Sequence, residues 1–251
     1  MRSLLSKSFI ALLFIGFLAS CNEDTSILAE MEDLKTNTTP LVVNENLQSV
    51  NSINDIQNWT GTGNNRSALT IQWVTASDIE NPTDDEIHFL AWGYRWASGA
   101  TGIDMVKAIA KKDTRLYVIL GNNFGGVTIK GFGYDGNNDG KIKISNSSLT
   151  LTEKDFVNGI YQEKNGDNLD GMKTSSPEDL WMGGWYEAYA SYWLGWTDAT
   201  TVPDGFDYSQ YLVAQRSLAN NSWDAWTFST INSAEYNVDP RPELLKAAPN
   251  N

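Results

Sequence analysis

The chain of 251 residues carries 31 acidic and 18 basic side chains, ten tryptophans, one cysteine and one histidine. A net charge of −13 with no cluster of Lys and Arg excludes a nucleic-acid binder, which needs basic side chains to displace counterions. One cysteine excludes an internal disulfide, and one histidine excludes the multi-histidine sets of zinc and non-haem iron sites.

Residues 1–20 read as a signal peptide, with Arg2 and Lys7 before an apolar run from Phe9 to Leu18 that is too short to span a bilayer. The run ends in Leu18-Ala19-Ser20-Cys21, which resembles a bacterial lipobox and implies lipidation of Cys21. Asn22-Glu23-Asp24 resembles the sorting signal that carries lipoproteins of Bacteroidota to the outer face of the outer membrane. Residues 21–54 are polar and lack periodicity, as a lipid-anchored tether would, and residues 55–251 are expected to form a single domain.

Within that domain short apolar runs alternate with Gly, Asn and Asp clusters, predicting strands joined by turns. Strands are expected over 68–74, with Leu69, Ile71 and Trp73 buried and Thr70 and Gln72 wet, and over 86–94. Thr101 as N-cap, Asp104 three residues on, and an apolar stripe of Ile103, Val106, Ile109 and Ala110 predict one helix ending at Asp113 and Thr114. Further strands are expected over 116–120, 127–134, 141–144, 211–217 and 223–228. The fold class is mainly β, a sandwich or barrel-like domain with one clear α-helix. Residues 181–196 read as one long strand bulged at Gly183-Gly184, although Trp181, Trp185, Tyr189 and Trp193 also share a helical face.

Six tryptophans (Trp181, Trp185, Trp193, Trp196, Trp223 and Trp226) crowd together with Tyr186, Tyr189 and Tyr192, and because Tyr186, Tyr192 and Trp196 have the opposite parity to Trp181, Trp185 and Trp193, one set is expected to be exposed. Exposed rings beside polar side chains make a platform for sugar rings or for corrinoid and porphyrin macrocycles. Trp92, Tyr94, Arg95 and Trp96 form a second aromatic cluster in which Arg95 either stacks on a ring, pairs with an anionic ligand, or simply serves as a surface cation. His88 is a packing residue or an axial ligand to a metal macrocycle. Glu187 and Asp224 are the candidate carboxylate pair of a glycoside hydrolase.

Asp135-Gly136-Asn137-Asn138-Asp139-Gly140-Lys141 resembles the first half of a calcium loop, with oxygens at positions one, three and five, a turn glycine at six, and the Lys141 carbonyl at seven. Position twelve is Asn146 rather than a bidentate Glu. A calcium cofactor held by Asp135, Asn137, Asp139 and Lys141, and a plain Asn/Gly/Asp turn, are both open on these residues.

Leu90-Ala91-Trp92-Gly93-Tyr94-Arg95-Trp96, Ala100-Thr101-Gly102, Asp104-Met105, Asp113, Arg115-Leu116-Tyr117, Gly131-Phe132-Gly133-Tyr134-Asp135 and Ser222-Trp223-Asp224-Ala225-Trp226-Thr227-Phe228 together resemble a group of exported bacterial proteins. In organisation the chain is similar to surface lipoproteins that capture corrinoids or glycans for a TonB-dependent outer-membrane transporter. That similarity implies a non-enzymatic, lipid-anchored, outward-facing protein that captures a cobalamin-like corrinoid, with a glycan-binding lipoprotein as the alternative.

Overall fold

The structure is a computed structural model that describes residues 47–79, 81–195, 200–229 and 238–250. Fourteen strands are present among the described residues: β1 (Trp59–Gly61), β2 (Asn65–Val74), β3 (Ile87–Trp96), β4 (Leu116–Asn123), β5 (Gly126–Tyr134), β6 (Lys143–Ser145), β7 (Thr150–Thr152), β8 (Ile160–Gln162), β9 (Lys173–Thr174), β10 (Leu180–Gly183), β11 (Tyr189–Gly195), β12 (Asp207–Tyr208), β13 (Ser222–Ser229) and β14 (Lys246–Ala247). Helix α1 spans Gly102–Lys112 between β3 and β4. The protein is mainly β with a sandwich-like architecture.

A seven-stranded sheet runs β1-β3-β2-β13-β11-β12, with β14 joining β1 on the outer edge of β3. A four-stranded sheet runs β10-β5-β4-β8, and a small third sheet runs β7-β6-β9. The main core lies between the first two sheets and α1. Leu69, Ile71 and Trp73 of β2 meet Val118 of β4, Phe132 of β5 and Val106 of α1 there. Trp73 Nε1 donates to the Phe132 carbonyl at 2.9 Å, so the sheets are joined by a hydrogen bond as well as by packing. The helix starts where its sequence predicts: the Thr101 N–H donates to Asp104 Oδ2 at 2.9 Å, and the Thr101 hydroxyl to the same oxygen at 2.7 Å.

The second face of the large sheet is also covered. Val50, Ile53 and Ile56 from the N-terminal side, with Val238, Leu245 and Ala247 from the C-terminal side, pack on Phe89, Trp193 and Trp223. Thr70 and Gln72, expected to be wet, are therefore completely buried. Gln72 answers that burial by donating to the Asp239 carbonyl and accepting from the Arg241 N–H. The folded unit consequently begins before the predicted boundary at residue 55, because Val50 and Ile53 are core residues and Ser52 caps the short turn Ile53–Asp55.

Two other expectations are corrected. Residues 181–196 do not form one strand: β10 belongs to the four-stranded sheet, β11 to the seven-stranded sheet, and the chain crosses between them over 184–188. The glycines cause the break. Gly183 lies so close to the Lys130 carbonyl and Gly131 Cα that a Cβ would sit 2.6 and 2.7 Å from them, and Gly184 takes φ +124, a left-handed value that penalises a side chain. Residues 211–217 are a turn rather than a strand, with the Gln215 and Arg216 N–H groups both donating to the Leu212 carbonyl.

Candidate functional site

The crossover at Gly184 creates an open cleft at one end of the sandwich. Trp185 and Tyr186 are held there by their backbone N–H groups, which donate to Asp170 Oδ1 at 2.6 and 2.7 Å. Across from them the β4–β5 hairpin turns through Phe124 (φ +55) and Gly125 (φ +77), the two positive φ values that a type I′ turn demands. Glycine accepts that geometry freely, whereas phenylalanine is strained in it. The strained residue is 74% exposed, and its ring lies 5.7 Å from that of Trp185.

The cleft encloses about 410 Å³. Phe124, Val127 and Ile129 form one wall, Trp185 and Tyr189 a second, and the turn from Tyr208 to Val213 a third. Tyr192 and Trp226 line its floor, stacked face to face at 4.4 Å with planes 7° apart. Seven aromatic side chains thus meet in one open cleft, and Phe124, Tyr208 and Tyr211 at its rim are strongly exposed. Among the described residues none that lines the cleft is charged, and Thr128, Ser209 and Gln210 supply the polar side chains besides the tyrosine hydroxyls. Trp226 is buried, yet its indole N–H finds no acceptor among the described residues. Lys130 stands behind the cleft, its ammonium 4.8 Å from the centre of the Trp185 ring.

Charge sits under the floor rather than in the cleft. The Tyr192 hydroxyl donates to Asp224 Oδ2, and Arg216 Nη2 lies 3.4 Å from Asp224 Oδ1. Burial pushes the Asp224 carboxyl up to about 6 despite the opposing pull of Arg216 and the Tyr192 hydrogen bond. Glu187 lines a different cavity of about 670 Å³ with Thr75, Lys173, Trp181, Tyr186 and others, while Asp224 lines neither cavity. The carboxylates considered as a hydrolytic pair are therefore not brought to one site.

Of the aromatic residues singled out in the sequence, Trp185, Tyr189 and Trp226 line the cleft. Trp92 is core, donating from Nε1 to Asp113 Oδ2 at 2.8 Å, and Trp96 is buried with its N–H on the Ser67 hydroxyl. Tyr94 is half-buried, and Arg95 is exposed with its guanidinium 4.9 Å over the Trp59 ring, a surface stack. Trp181 lies across the glycines of β5, its ring where a Cβ on Gly131 would stand. Trp193 and Trp223 are buried in the second face of the large sheet. Parity does not sort these rings into an exposed and a buried set: Tyr192 and Trp193 are equally buried because both faces of the large sheet are covered, while Tyr186 on the crossover is exposed. Trp196 and Cys21 lie outside the described residues. His88 is buried, and desolvation lowers its pKa to about 4, which keeps the imidazole neutral at neutral pH.

The Asp135–Lys141 loop is closed by its own side chains. Asp135 accepts from the N–H groups of Asp139 and Gly140, Asn137 from that of Asp139, and Asp139 from that of Lys141. Asn146, at position twelve, is carried away by β6 and bonds the carbonyls of Asn168 and Asp170. Among the described residues no group of three or more His, Cys, Asp or Glu side chains is already gathered at metal-holding geometry.

Phe124, Tyr208 and Tyr211 were not singled out by the sequence reading. A signal for Phe124 was present: an apolar ring between Asn123 and Gly125-Gly126 occupies a turn tip where Asn, Asp or Gly is preferred. No family model, curated protein or solved structure matches the chain. Among the described residues no helix is long and apolar enough to cross a membrane.

Proposed function

We propose that the protein is a lipid-anchored capture protein of the outer-membrane surface that holds a ligand with a broad apolar face in the Phe124–Trp185–Tyr211 cleft. The observation that carries this reading is the convergence of seven aromatic side chains on one open, uncharged cleft in a chain of net charge −13. Acidic residues abound on this protein, so a cleft without one suits a ligand recognised through ring faces and neutral polar edges. A corrinoid, with its apolar macrocycle and amide periphery, has that character and would seat one side in the cleft with the rest over the exposed rim. The leader and Cys21 support anchoring, and a TonB-dependent transporter is the partner to which such a ligand would pass.

Size favours a second reading. A volume of about 410 Å³ stands near the lower end of small-ligand sites, which span about 300–1,000 Å³, and accommodates a short glycan more completely than a whole corrinoid. Titration of intrinsic tryptophan fluorescence separates the two. Quenching by cobalamin at micromolar concentration supports the corrinoid, whereas saturable changes with an oligosaccharide and none with cobalamin transfer the cleft to glycans. Silence with both ligand classes removes the capture reading.

A further inference from the structure

A second site, independent of the aromatic cleft, is built where β5 ends and β10 begins. The antiparallel register pairs Tyr134 with Leu180, so Asp135, just after β5, and Asp179, just before β10, are the next residues on either side of the pair. Asp179 is 8% exposed, and its carboxylate takes a hydrogen bond from the N–H of Gly136, the second residue of the Asp135–Lys141 loop. Its Oδ1 is buried and finds no partner among the described residues. Beside it, Asn137 Nδ2 donates to Glu178 Oε2 at 2.8 Å, tying the 178–179 corner to the loop a second time.

A buried carboxylate oxygen without a donor is costly, and one facing further carboxylates is more so. Asp179 adjoins Glu178 in the chain and stands next to the fully buried Asp135 across the strand pair, so the corner concentrates negative charge. A hard dication with oxygen ligands is the species that resolves such crowding, and the loop presents oxygens at the spacing calcium uses.

We propose that Asp179 Oδ1 replaces the missing twelfth-position ligand, completing a calcium site with Asp135, Asn137, Asp139 and the Lys141 carbonyl. In a helix–loop–helix the twelfth residue returns to the ion, but here the loop runs into β6, which removes Asn146. The β5–β10 pairing delivers a carboxylate from another part of the chain instead. Asp139 is exposed, with Oδ1 accepting from the Lys141 N–H at 2.9 Å and Oδ2 3.8 Å from the Lys141 ammonium, so Oδ2 is the oxygen that turns inward to the ion. With waters supplying the remaining ligands, affinity falls in the range of extracellular modules, about 10⁻⁴ to 10⁻³ M.

The test is calorimetric titration of the full chain, freed of divalent ions by EDTA and kept at pH 7.5, with calcium chloride, alongside thermal unfolding in 5 mM calcium, 5 mM magnesium or EDTA. Calcium is expected to bind at a single site and to raise Tm by about 5 °C, with magnesium far less effective. Asp179→Asn is expected to weaken calcium binding at least tenfold while its Tm in EDTA stays at or above that of the parent. Asp139→Asn, at an exposed position that does not threaten folding, should also weaken binding at least tenfold. The proposal is overturned by absence of calcium heat and of any Tm shift in the parent chain, by an equal response to magnesium, or by an Asp179→Asn chain that binds calcium as tightly as the parent.

Discussion

Two aromatic clusters with polar partners stand in this molecule, and they have opposite character. Around Asp113, Trp92 and Tyr134 pack edge to face at 5.9 Å, and Arg115 lies over Tyr134. The Asp113 carboxylate accepts from Trp92 Nε1, Asn58 Nδ2 and three N–H groups of Arg115, two of them from the guanidinium. At the open end, Trp185 and Phe124 lean on each other with their outer surfaces wet, and Trp226 keeps an unanswered N–H beneath them. The first cluster is closed: its rings are buried and its carboxylate is fully engaged, although the Tyr134 hydroxyl finds no partner among the described residues, whereas the second leaves ring faces open to solvent. Aromatic content alone does not distinguish a core from a binding site; the exposure of the ring faces does.

Removing the hub of the closed cluster has the largest expected effect. Asp113→Ala leaves Arg115 buried without its carboxylate and should lower stability by about 3–5 kcal/mol in urea unfolding. Ligand affinity of the folded fraction should stay within about twofold, and a change in affinity without loss of stability would break the contrast.

Next comes a pair of buried titrations with opposite signs. Asp224, raised from 3.8 to about 6, contributes relative stability below pH 4 that is lost as pH rises through 6. His88, lowered from 6.5 to about 4, contributes stability above pH 6.5 that is lost as pH falls through 4. Each amounts to about 3 kcal/mol, so they largely offset one another between pH 4 and 6.5. Urea unfolding across that range should show Asp224→Asn gaining stability with rising pH relative to the parent, and His88→Gln losing it. Parallel profiles for all three proteins would refute both assignments.

Trp185→Ala tests the open cluster. Affinity for whichever ligand quenches the fluorescence should fall at least tenfold, with stability changed by about 1 kcal/mol or less. The smallest effect sharpens the contrast most. Phe124→Asn replaces a strained ring with a residue that tolerates positive φ, and should raise stability by about 0.5–1 kcal/mol while weakening ligand binding severalfold. A loss of both stability and binding would show that Phe124 serves packing rather than the ligand.

Much of the fold was legible in the chain because its signals are local. Thr101 and Asp104 cap the helix by direct bonds, and the alternation of Leu69, Ile71 and Trp73 does mark the face of β2 that meets the four-stranded sheet. What failed depends on distant segments. Nothing near Thr70 and Gln72 announces that residues 238–247 will cover them, and parity counted through Gly183-Gly184 has no meaning once the chain changes sheets there. Motif residues such as Trp92, Asp113, Arg115 and Tyr134 proved to share one buried network, so their prominence reflects folding rather than contact with a ligand. Half of the cleft was invisible for the same reason, since Tyr208 and Tyr211 reach it from a turn with no periodicity of its own.

The position of β14 has a consequence for the order of events in synthesis. Val50 N–H bonds the Leu245 carbonyl, Ala247 N–H bonds the Gln48 carbonyl, and the Pro249 carbonyl receives Asn58 and Arg115. The outer edge of β3 and the surroundings of the Asp113 carboxylate are thus completed by residues 245–249, well over a hundred positions after the segments they meet. During synthesis those contacts close only after residues 245–249 have left the ribosome, so this edge of the fold is the last to be completed. Trimming the same few residues from the finished protein would act as a defect of the whole fold, not of a terminus.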